Sequence, residues 1–351
     1  MKKLLTIFLA LVCVLSICSC GASENYVTTH FTRVDGDGNK TLIEYDENGD
    51  RKDTKYDENG NVLGETEYAN GGGIKSETIY DENGNVSYII EYEDNHKRKL
   101  TAYYLDGVRE ETEYAVSEGK PIKVKSTTYA PDNSVFAITE YDEIGNPCKD
   151  TFFDEEGEIE YINVYEYDAE GNRSKVTATD AKGEIIRITE YKPDGSYKSI
   201  YYENGKLSQE YNYTSDHKLI NAKGYDENGE LDYYQEYIYD ENGNLTNTKS
   251  YDADGNLTGE LTYNESGKTI GSKSYDADGN LTYEYVYDGN GNTLNSKSYS
   301  EDGSYREDSY DENGNVTNTK FYDKDGNLVR EYISNSNGTE YSNAGDAVKA
   351  N

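Results

Sequence analysis

The residues best placed to coordinate a cation stand in short acidic turns that recur along the chain. Two of these turns share one arrangement of side-chain oxygens at their first, third and fifth positions: Asp252, Asp254 and Asn256, and Asp276, Asp278 and Asn280. An EF-hand calcium loop also uses these positions, but it has glycine at the sixth and a bidentate glutamate at the twelfth. Here Gly255 is fourth and Tyr263 is twelfth. We therefore interpret the aspartates as turn formers, predict no cofactor, and keep Ca²⁺ binding as an alternative.

Tyrosine is the second residue type that could carry a function, because the chain contains 38 Tyr but only 6 Phe and no Trp. Placed at every second residue of a strand, tyrosines form a packing ladder. Exposed tyrosines instead stack on sugar rings or anchor a protein partner, as aromatic residues do at interfaces. The richest runs are 231–239 and 281–287. The candidate binding surface consists of Tyr233, Tyr237, Tyr283, Tyr285 and Tyr287.

No group of residues has the spacing of a catalytic site. His30, His96 and His217 are scattered, without an H-E-x-x-H motif. The chain also lacks G-x-S-x-G and a glycine-rich phosphate loop. The turns supply carboxylates everywhere, so no pair is singled out for acid–base work. We predict that the protein is not an enzyme and has no catalytic residue.

The elements that hold these residues form a repeat of about 12 residues. Each unit contains a short strand, a tyrosine and a turn such as "DADG" or "DENG". This is the chemistry of a type I turn followed by a glycine with positive φ, the usual three-residue hairpin loop with a bulge at the turn. For the turn at Asp252 the scheme pairs Asp252 with Asn256 and places Tyr251 opposite Leu257. A repeat of this length indicates an array rather than a single compact core.

The parity of the repeat predicts which face of the sheet each tyrosine occupies. Alternate residues of a strand point to opposite faces, and 12 is even, so every turn tyrosine is expected on the same face. Leu257 and Tyr263 would then share that face. Steps of 11 residues break the parity, so we expect a β-bulge in the two that occur, Tyr45 to Tyr56 and Tyr299 to Tyr310.

The sequence thus predicts an all-β fold, a long antiparallel β-meander of ~12-residue strand–turn repeats. Only 34% of residues are hydrophobic, too few for a conventional aliphatic core. We expect the repeat sheet to be curled or superhelical, with its tyrosine face inward. Residues 105–128 fit the phase of the repeat poorly and are predicted to form an irregular insertion.

The formal net charge of −35 restricts the possible partners. It repels the phosphate backbone, so nucleic-acid binding is excluded. It favours solubility and association with cations.

The N-terminus has the features of a bacterial lipoprotein signal. Lys2 and Lys3 precede an apolar run that ends in "ICSC", too short for a membrane span. This box is similar to that of bacterial lipoproteins, which implies that Cys20 is lipidated. A plain secretory signal is the alternative. The predicted organisation is a signal peptide (1–19), a spacer (20–33), the β-repeat array (34–332) and a disordered tail (333–351), with Cys148 left without a disulfide partner.

Several repeats resemble known families. "YEYDAEGNR" (165–173), "YIYDENGNL" (237–245) and "YVYDGNGNTL" (285–294) resemble the Y-x-Y-D-x-x-G-R-L core of RHS/YD-repeat proteins. "YYENGKL" (201–207) resembles the MORN-type repeats of the YwqK antitoxin family. The resemblance implies a β-rich repeat fold in an extracellular setting. Asparagine usually stands where RHS repeats have arginine, and no C-terminal toxin is evident.

The function expected from these features is that of an exported, lipid-anchored surface protein, facing the cell exterior or the periplasm. It would act as a spacer or non-enzymatic interaction module for a glycan or a protein. The alternative from another class is a MORN/YwqK-like immunity or antitoxin protein. The export signal separates the two, because a cytoplasmic antitoxin would not carry residues 1–20.

Overall fold

The computed structural model describes residues 29–335 and 338–343, which contain 27 β-strands and no helix. The predicted fold class, an antiparallel β-meander of strand–turn repeats, is confirmed. In the described residues there is accordingly no apolar helix of membrane-spanning length. Cys20 and the predicted signal peptide lie outside the described residues.

The chain divides into two units, 1–166 with 178–183, and 167–177 with 184–351. The strands of the first unit are β1 Thr29–Val34, β2 Lys40–Tyr45, β3 Arg51–Tyr56, β4 Val62–Tyr68, β5 Ile74–Tyr80, β6 Val86–Glu93, β7 His96–Tyr103, β8 Arg109–Ser117, β9 Lys120–Tyr129, β10 Val135–Tyr141, β11 Pro147–Phe153 and β12 Ile159–Tyr167. β13, Arg173–Asp180, contributes residues to both units. The strands of the second unit are β14 Ile185–Tyr191, β15 Tyr197–Glu203, β16 Lys206–Tyr213, β17 Leu219–Tyr225, β18 Leu231–Tyr239, β19 Leu245–Asp252, β20 Leu257–Tyr263, β21 Thr269–Tyr275, β22 Leu281–Tyr287, β23 Thr293–Tyr299, β24 Tyr305–Tyr310, β25 Val316–Tyr322, β26 Leu328–Asn335 and β27 Gly338–Asn343.

Within each unit, consecutive strands pair antiparallel. In the first unit this holds from β1 to β12. In the second unit it holds from β14 to β27. β1 begins within the expected spacer 20–33 and β27 lies within the expected tail 333–351, so strands extend beyond the predicted array.

The turn between β19 and β20 has the predicted geometry. The amide of Asp252 donates to the carbonyl of Asn256 at 3.0 Å, and that of Gly255 donates to the carbonyl of Asp252 at 3.1 Å. Tyr251 lies opposite Leu257, as expected. Gly255 has φ of +86°, the left-handed conformation that a side chain disfavours. The turn chemistry predicted from the sequence is therefore confirmed.

The prediction that every turn tyrosine shares one face is wrong, because each 12-residue repeat contains a β-bulge. Tyr251 pairs with Leu257 but Ser250 pairs with Gly259, so Thr258 is an extra residue in the ladder. The extra residue reverses the alternation. Leu257 and Tyr263 therefore lie on opposite faces, and successive turn tyrosines alternate between the faces.

The 11-residue repeats are the regular ones, which corrects the expectation of bulges there. Tyr45 pairs with Arg51 and the register continues unbroken along β2 and β3. Tyr299 likewise pairs with Tyr305, and the register continues unbroken along β23 and β24. A repeat of 12 with one bulge and a repeat of 11 without a bulge both place the next tyrosine on the face opposite to the preceding one. Both lengths are thus compatible with one sheet geometry.

Residues 105–128 are not an irregular insertion. They contain most of β8 and β9, which form a hairpin closed by a two-residue turn between Ser117 and Lys120. Glu118 and Gly119 both have positive φ, 50° and 76°, as a type I′ turn requires. The long strands of 9 and 10 residues explain why this region lost phase with the 12-residue pattern.

Among the described residues, few side chains are fully buried. The buried apolar residues are Val176, Ala178 and Ala222. Most other buried positions are small hydroxyl residues at mid-strand, such as Thr112, Ser126 and Thr248. Hydroxyls of tyrosines on neighbouring strands reach two of them, Ser126 and Thr248. The packing is therefore local to adjacent strands, as expected for a repeat array.

Candidate functional site

The five tyrosines predicted as a binding surface lie on one face of the second unit. The register from β18 to β23 places Tyr237 opposite Thr248, and continues through Leu261 and Ser272 to Tyr285. Directly opposite residues share a face. We call this side of β18–β23 the tyrosine face: it carries Tyr233, Tyr237, Tyr239, Tyr263, Tyr283, Tyr285 and Tyr287.

Three tyrosine rings on β22 form the richest part of the tyrosine face. The ring centroids of Tyr283 and Tyr285 are 6.4 Å apart with planes at 19°, and those of Tyr285 and Tyr287 are 6.1 Å apart at 9°. Tyr283 is 48% exposed. The hydroxyl of Tyr287 hydrogen-bonds Ser272 at 3.1 Å, whereas the hydroxyls of Tyr283 and Tyr285 have no partner in the described residues. Two aromatic side chains thus retain unused hydrogen-bonding groups.

Small residues on neighbouring strands allow the tyrosine rings to lie over the sheet. Gly224 pairs with Tyr233, and a Cβ on Gly224 would stand 2.1 Å from Cε1 of that ring. The ring therefore occupies the space of the missing side chain. The hydroxyl of Tyr263 similarly reaches Thr248 on the preceding strand at 3.2 Å. The tyrosine face is organised by strands of small residues alternating with strands of large ones.

The opposite face of β18–β26 carries a ladder of alternating charges, which we call the charged face. In the centre of each strand one charged residue pairs with the oppositely charged residue of the next strand. The ladder consists of Glu236, Lys249, Glu260, Lys273, Glu284, Lys297, Glu307, Lys320 and Glu331. Opposite charges at directly paired positions stabilise a sheet and select the register.

Several rungs of the ladder are ion pairs. Nζ of Lys249 is 3.3 Å from Oε1 of Glu260, and Nζ of Lys273 is 3.7 Å from Oε1 of Glu284. All four side chains are partly exposed, so each pair contributes at most about 1 kcal/mol. Their regular placement gives specificity, since a one-residue slip would place these charges on the other face.

Turn tyrosines on the charged face donate hydrogen bonds to the glutamates of the ladder. The hydroxyl of Tyr251 donates to Glu236 at 3.0 Å, and that of Tyr275 donates to Glu260 at 2.9 Å. Burial, followed by the hydrogen bond to Glu260, raises the pKa of Tyr275 to about 12. These bonds connect each turn to the centre of the preceding strand. Glu260 also forms the ion pair with Lys249, which makes the charged face a structural network.

Sequence reasoning missed the charged face, although a signal for it was present. Lysine stands two residues before the turn tyrosines Tyr251, Tyr275 and Tyr299, and glutamate stands three residues before Tyr263 and Tyr287. The two spacings alternate, so the full repeat is a pair of strands, about 24 residues. A 12-residue comparison merges the two kinds of strand and hides the alternation.

The aspartates considered as calcium ligands hold the turns together. Oδ1 of Asp252 accepts hydrogen bonds from the amides of Asp254 at 3.0 Å and Asn256 at 2.8 Å, and Oδ2 accepts one from Nδ2 of Asn256 at 3.1 Å. The side-chain bond from Asn256 is the main cause that lowers the pKa of Asp252. Asp276 makes the equivalent bonds to Asp278 and Asn280. The first carboxylate of each turn is thus already occupied by donors within the turn.

The remaining candidates for chemistry are not brought together. Within the described residues, no three His, Cys, Asp or Glu side chains are grouped as metal ligands would be. His217 lies in a turn, where its Nδ1 is 3.3 Å from the hydroxyl of Tyr197. Cys148 is a half-buried free thiol whose pKa is raised, chiefly by burial, so it is a poor nucleophile.

Four segments of the chain match the family model described as a MORN repeat variant: residues 54–70, 76–94, 193–214 and 246–265. The chain therefore contains MORN-like repeats, and these include the segment 201–207 in which the resemblance was seen. The match at 246–265 contains the turn at Asp252. The acidic Y-D-x-x-G-N-L units and the MORN-like units are thus the same structural repeat, a strand and its turn.

No curated protein matches this chain by sequence. Among solved structures it is similar to a TarM mutant of S. aureus in complex with fondaparinux, α-GlcNAc-glycerol and UDP, at 12% identity over 31% of this chain and 21% of that chain, with a TM-score of 0.23. A porin-like protein from Bacteroides uniformis matches at 9% identity over 73% and 91% of the two chains, with a TM-score of 0.24. The Photorhabdus luminescens Tc holotoxin pore matches at 11% identity over 90% and 30%, with a TM-score of 0.12. This chain spans about a fifth of the TarM chain.

Proposed function

We propose that this protein is an exported, lipid-anchored interaction module, without enzymatic activity, that binds a glycan through its tyrosine face. The observation that carries the proposal is the pair Tyr283 and Tyr285, whose hydroxyls have no partner in the described residues. On the same face, the hydroxyls of Tyr237, Tyr263 and Tyr287 are used in hydrogen bonds. Aromatic side chains that combine an exposed ring with a free hydroxyl suit a ligand that has both apolar ring faces and polar edges.

The charge of the chain restricts the ligand class. A net charge of −35 repels strongly anionic polymers, so the ligand of the tyrosine face is a neutral or weakly charged saccharide chain. A protein ligand is the alternative occupant. The repetition of tyrosine along and across the strands suits an extended chain of similar units, because each repeat offers an equivalent contact.

The proposal is tested on an array of surface glycans with the purified chain and the double variant Tyr283→Ala, Tyr285→Ala. The matched control is Tyr88→Ala, which removes a 38% exposed strand tyrosine from the other unit. We expect the double variant to lose at least tenfold in affinity and the control to bind as the unaltered chain. Absence of any glycan ligand, or an equal loss in both variants, would refute the proposal.

The membrane anchor of the proposal rests on the sequence of residues 1–20. We propose that Cys20 carries the lipid, and stable anchoring then requires more than one acyl chain. Cells expressing Cys20→Ala should incorporate no fatty-acid probe into the protein and should release it from the membrane fraction. Cys148→Ala is the control and should label normally. Continued labelling of the Cys20 variant would contradict the assignment.

A second candidate function is that of an immunity or antitoxin protein of the MORN/YwqK type. The four MORN-like segments favour it. The two functions differ in location, because a cytoplasmic antitoxin requires no export. Fractionation that recovers the untagged protein in the cytoplasm, with Cys20 unmodified, would support this second candidate over the first.

A further inference from the structure

One turn of the first unit carries two large apolar residues in place of the acidic pattern. Between β7 and β8, Tyr104 stands where most turns have their first aspartate, and Leu105 follows it. Leu105 is 96% exposed and Tyr104 is 51% exposed. Exposing a whole leucine side chain to water is unfavourable, and the corresponding position in other turns holds residues such as Glu58, Glu82 and Ala253.

The backbone of this turn does not require the two apolar residues. The amide of Tyr104 donates to the carbonyl of Val108 at 2.9 Å, and that of Gly107 donates to the carbonyl of Tyr104 at 3.0 Å. These are the same bonds that close the acidic turns. What the turn loses is the first aspartate, leaving Asp106 to accept from the amide of Val108 at 3.1 Å. The hydroxyl of Tyr104 donates to Glu110 at 3.3 Å, but the nearly fully exposed side chain of Leu105 adds no comparable contact. A side chain that breaks the local pattern without a structural gain indicates a function.

The apolar turn borders a cleft whose other side is acidic. The cleft has a volume of about 690 Å³ and lies between this turn and the turn that joins β5 to β6. Tyr103, Tyr104 and Leu105 line one side, and Asp81 and Glu82 line the other. Hydrogen bonds from Asn85 lower the pKa of Asp81, so that carboxylate is charged at neutral pH. Among the residues that the structure describes, no lysine or arginine lines the cleft.

We propose that this cleft docks a basic segment of a partner protein. An apolar side chain of that segment packs against Leu105 and Tyr103, while a lysine or arginine beside it faces Glu82. Asp81, whose oxygens accept hydrogen bonds within its turn, adds negative charge beside Glu82. Charge complementarity selects the basic partner and accelerates its association. An anionic lipid surface has the wrong charge for this cleft. The cleft belongs to the first unit, so the inference does not rest on the tyrosine face of the second.

The test measures fluorescence anisotropy of a labelled hexapeptide of alternating lysine and leucine with the whole chain. Leu105→Ser and, separately, Glu82→Lys should each weaken binding at least tenfold. The matched control is Ile144→Ser, which removes a 75% exposed apolar side chain from the tip of another turn of the same unit. A peptide with glutamate in place of lysine should not bind.

Three results would overturn the proposal. The first is absence of saturable binding of the lysine–leucine peptide. The second is an equal loss of affinity in Ile144→Ser and Leu105→Ser, which would mean diffuse attraction to an acidic protein. The third is binding of the chain to phosphatidylcholine–phosphatidylglycerol vesicles that depends on Leu105 while the peptide does not bind, which would make the turn a membrane contact. Unchanged circular dichroism of each variant establishes that folding is intact.

Discussion

Deletion of Thr258 tests the finding that 12-residue repeats are 11-residue repeats with a bulge. Without this residue, Leu257 still pairs with Tyr251, and Gly259 follows it directly into its place opposite Ser250. The loss is one hydrogen bond, from Oγ1 of Thr258 to the carbonyl of Ser250 at 3.1 Å, worth about 1 kcal/mol. One residue fewer is ordered on folding, which returns about 1–2 kcal/mol. The free energy of unfolding should therefore change by less than about 1 kcal/mol.

Two matched deletions in the same strand should cost more. When Glu260 is deleted, β20 loses its bulge and the residues after the deletion keep their faces. Gly259, however, takes the place of the glutamate in the charged ladder. The hydrogen bond from Tyr275 and the ion pair with Lys249 are lost, a cost of about 1–3 kcal/mol. Deleting Thr258 together with Gly259 is the most severe change, because no bulge remains to absorb the second residue. Leu261 would enter the ladder and Tyr263 would change face.

The assay is hydrogen–deuterium exchange of the amides of β19 to β21, compared among the three deletions. Local exchange is preferable to a single melting temperature because repeat arrays unfold in parts. The loss of protection should be smallest for deletion of Thr258, larger for deletion of Glu260 and largest for the double deletion. Simple parity of the 12-residue repeat predicts the reverse, with the double deletion tolerated better than either single one. That reverse order would refute the bulge reasoning.

Three further outcomes are expected from the site geometry. Stability should fall as pH rises from about 10 to about 12, because the pKa of Tyr275 is raised from 10.0 to about 12 in the folded state and the unfolded chain loses this proton first. Tyr275→Phe should reduce the fall in urea midpoints across that range, and the rest of the fall comes from other tyrosines with a raised pKa, such as Tyr92 and Tyr234. Gly224→Ala should displace the ring of Tyr233, because Cε1 of that ring would be 2.1 Å from the new Cβ. The chemical shifts of Tyr233 should therefore change in this variant, and a Gly171→Asn control should leave them unaltered. Millimolar Ca²⁺ should raise the melting temperature no more than monovalent salt of equal ionic strength, because the oxygens of Asp252 are occupied; a larger rise that Asp252→Asn with Asp254→Asn abolishes would make the turns metal sites.

The local chemistry of the repeat could be predicted from the sequence because turn formation depends on neighbouring residues. Asp252, Asn256 and Gly255 specify their hairpin by hydrogen bonds and a positive φ within five residues. Strand identity, strand length and the pairing of Tyr251 with Leu257 follow from that turn. The sequence also predicted the grouping of five tyrosines, Tyr233, Tyr237, Tyr283, Tyr285 and Tyr287. The parity argument that accompanied this grouping was wrong.

The face assignment failed because a bulge is a property of two strands. Residues 257–259 alone do not predict that Thr258 lies outside the ladder. The bulge forms where the twist of the hairpin and the fit of Tyr251 against Leu257 are satisfied together. Once present, it reverses the alternation for the rest of the strand, so an error of one residue changes the face of every following tyrosine.

The sequence by itself determined the all-β repeat, its turns and its acidic character, because each depends on composition or on contacts within one hairpin. Only the tertiary structure decided which side chains meet across strands. It paired Lys249 with Glu260 in the charged face, placed the ring of Tyr233 over Gly224, and set Leu105 beside Asp81 and Glu82. These contacts join residues 9 to 24 positions apart. Their geometry depends on the register of whole strands, which the local sequence constrains only to within the one residue that a bulge can absorb.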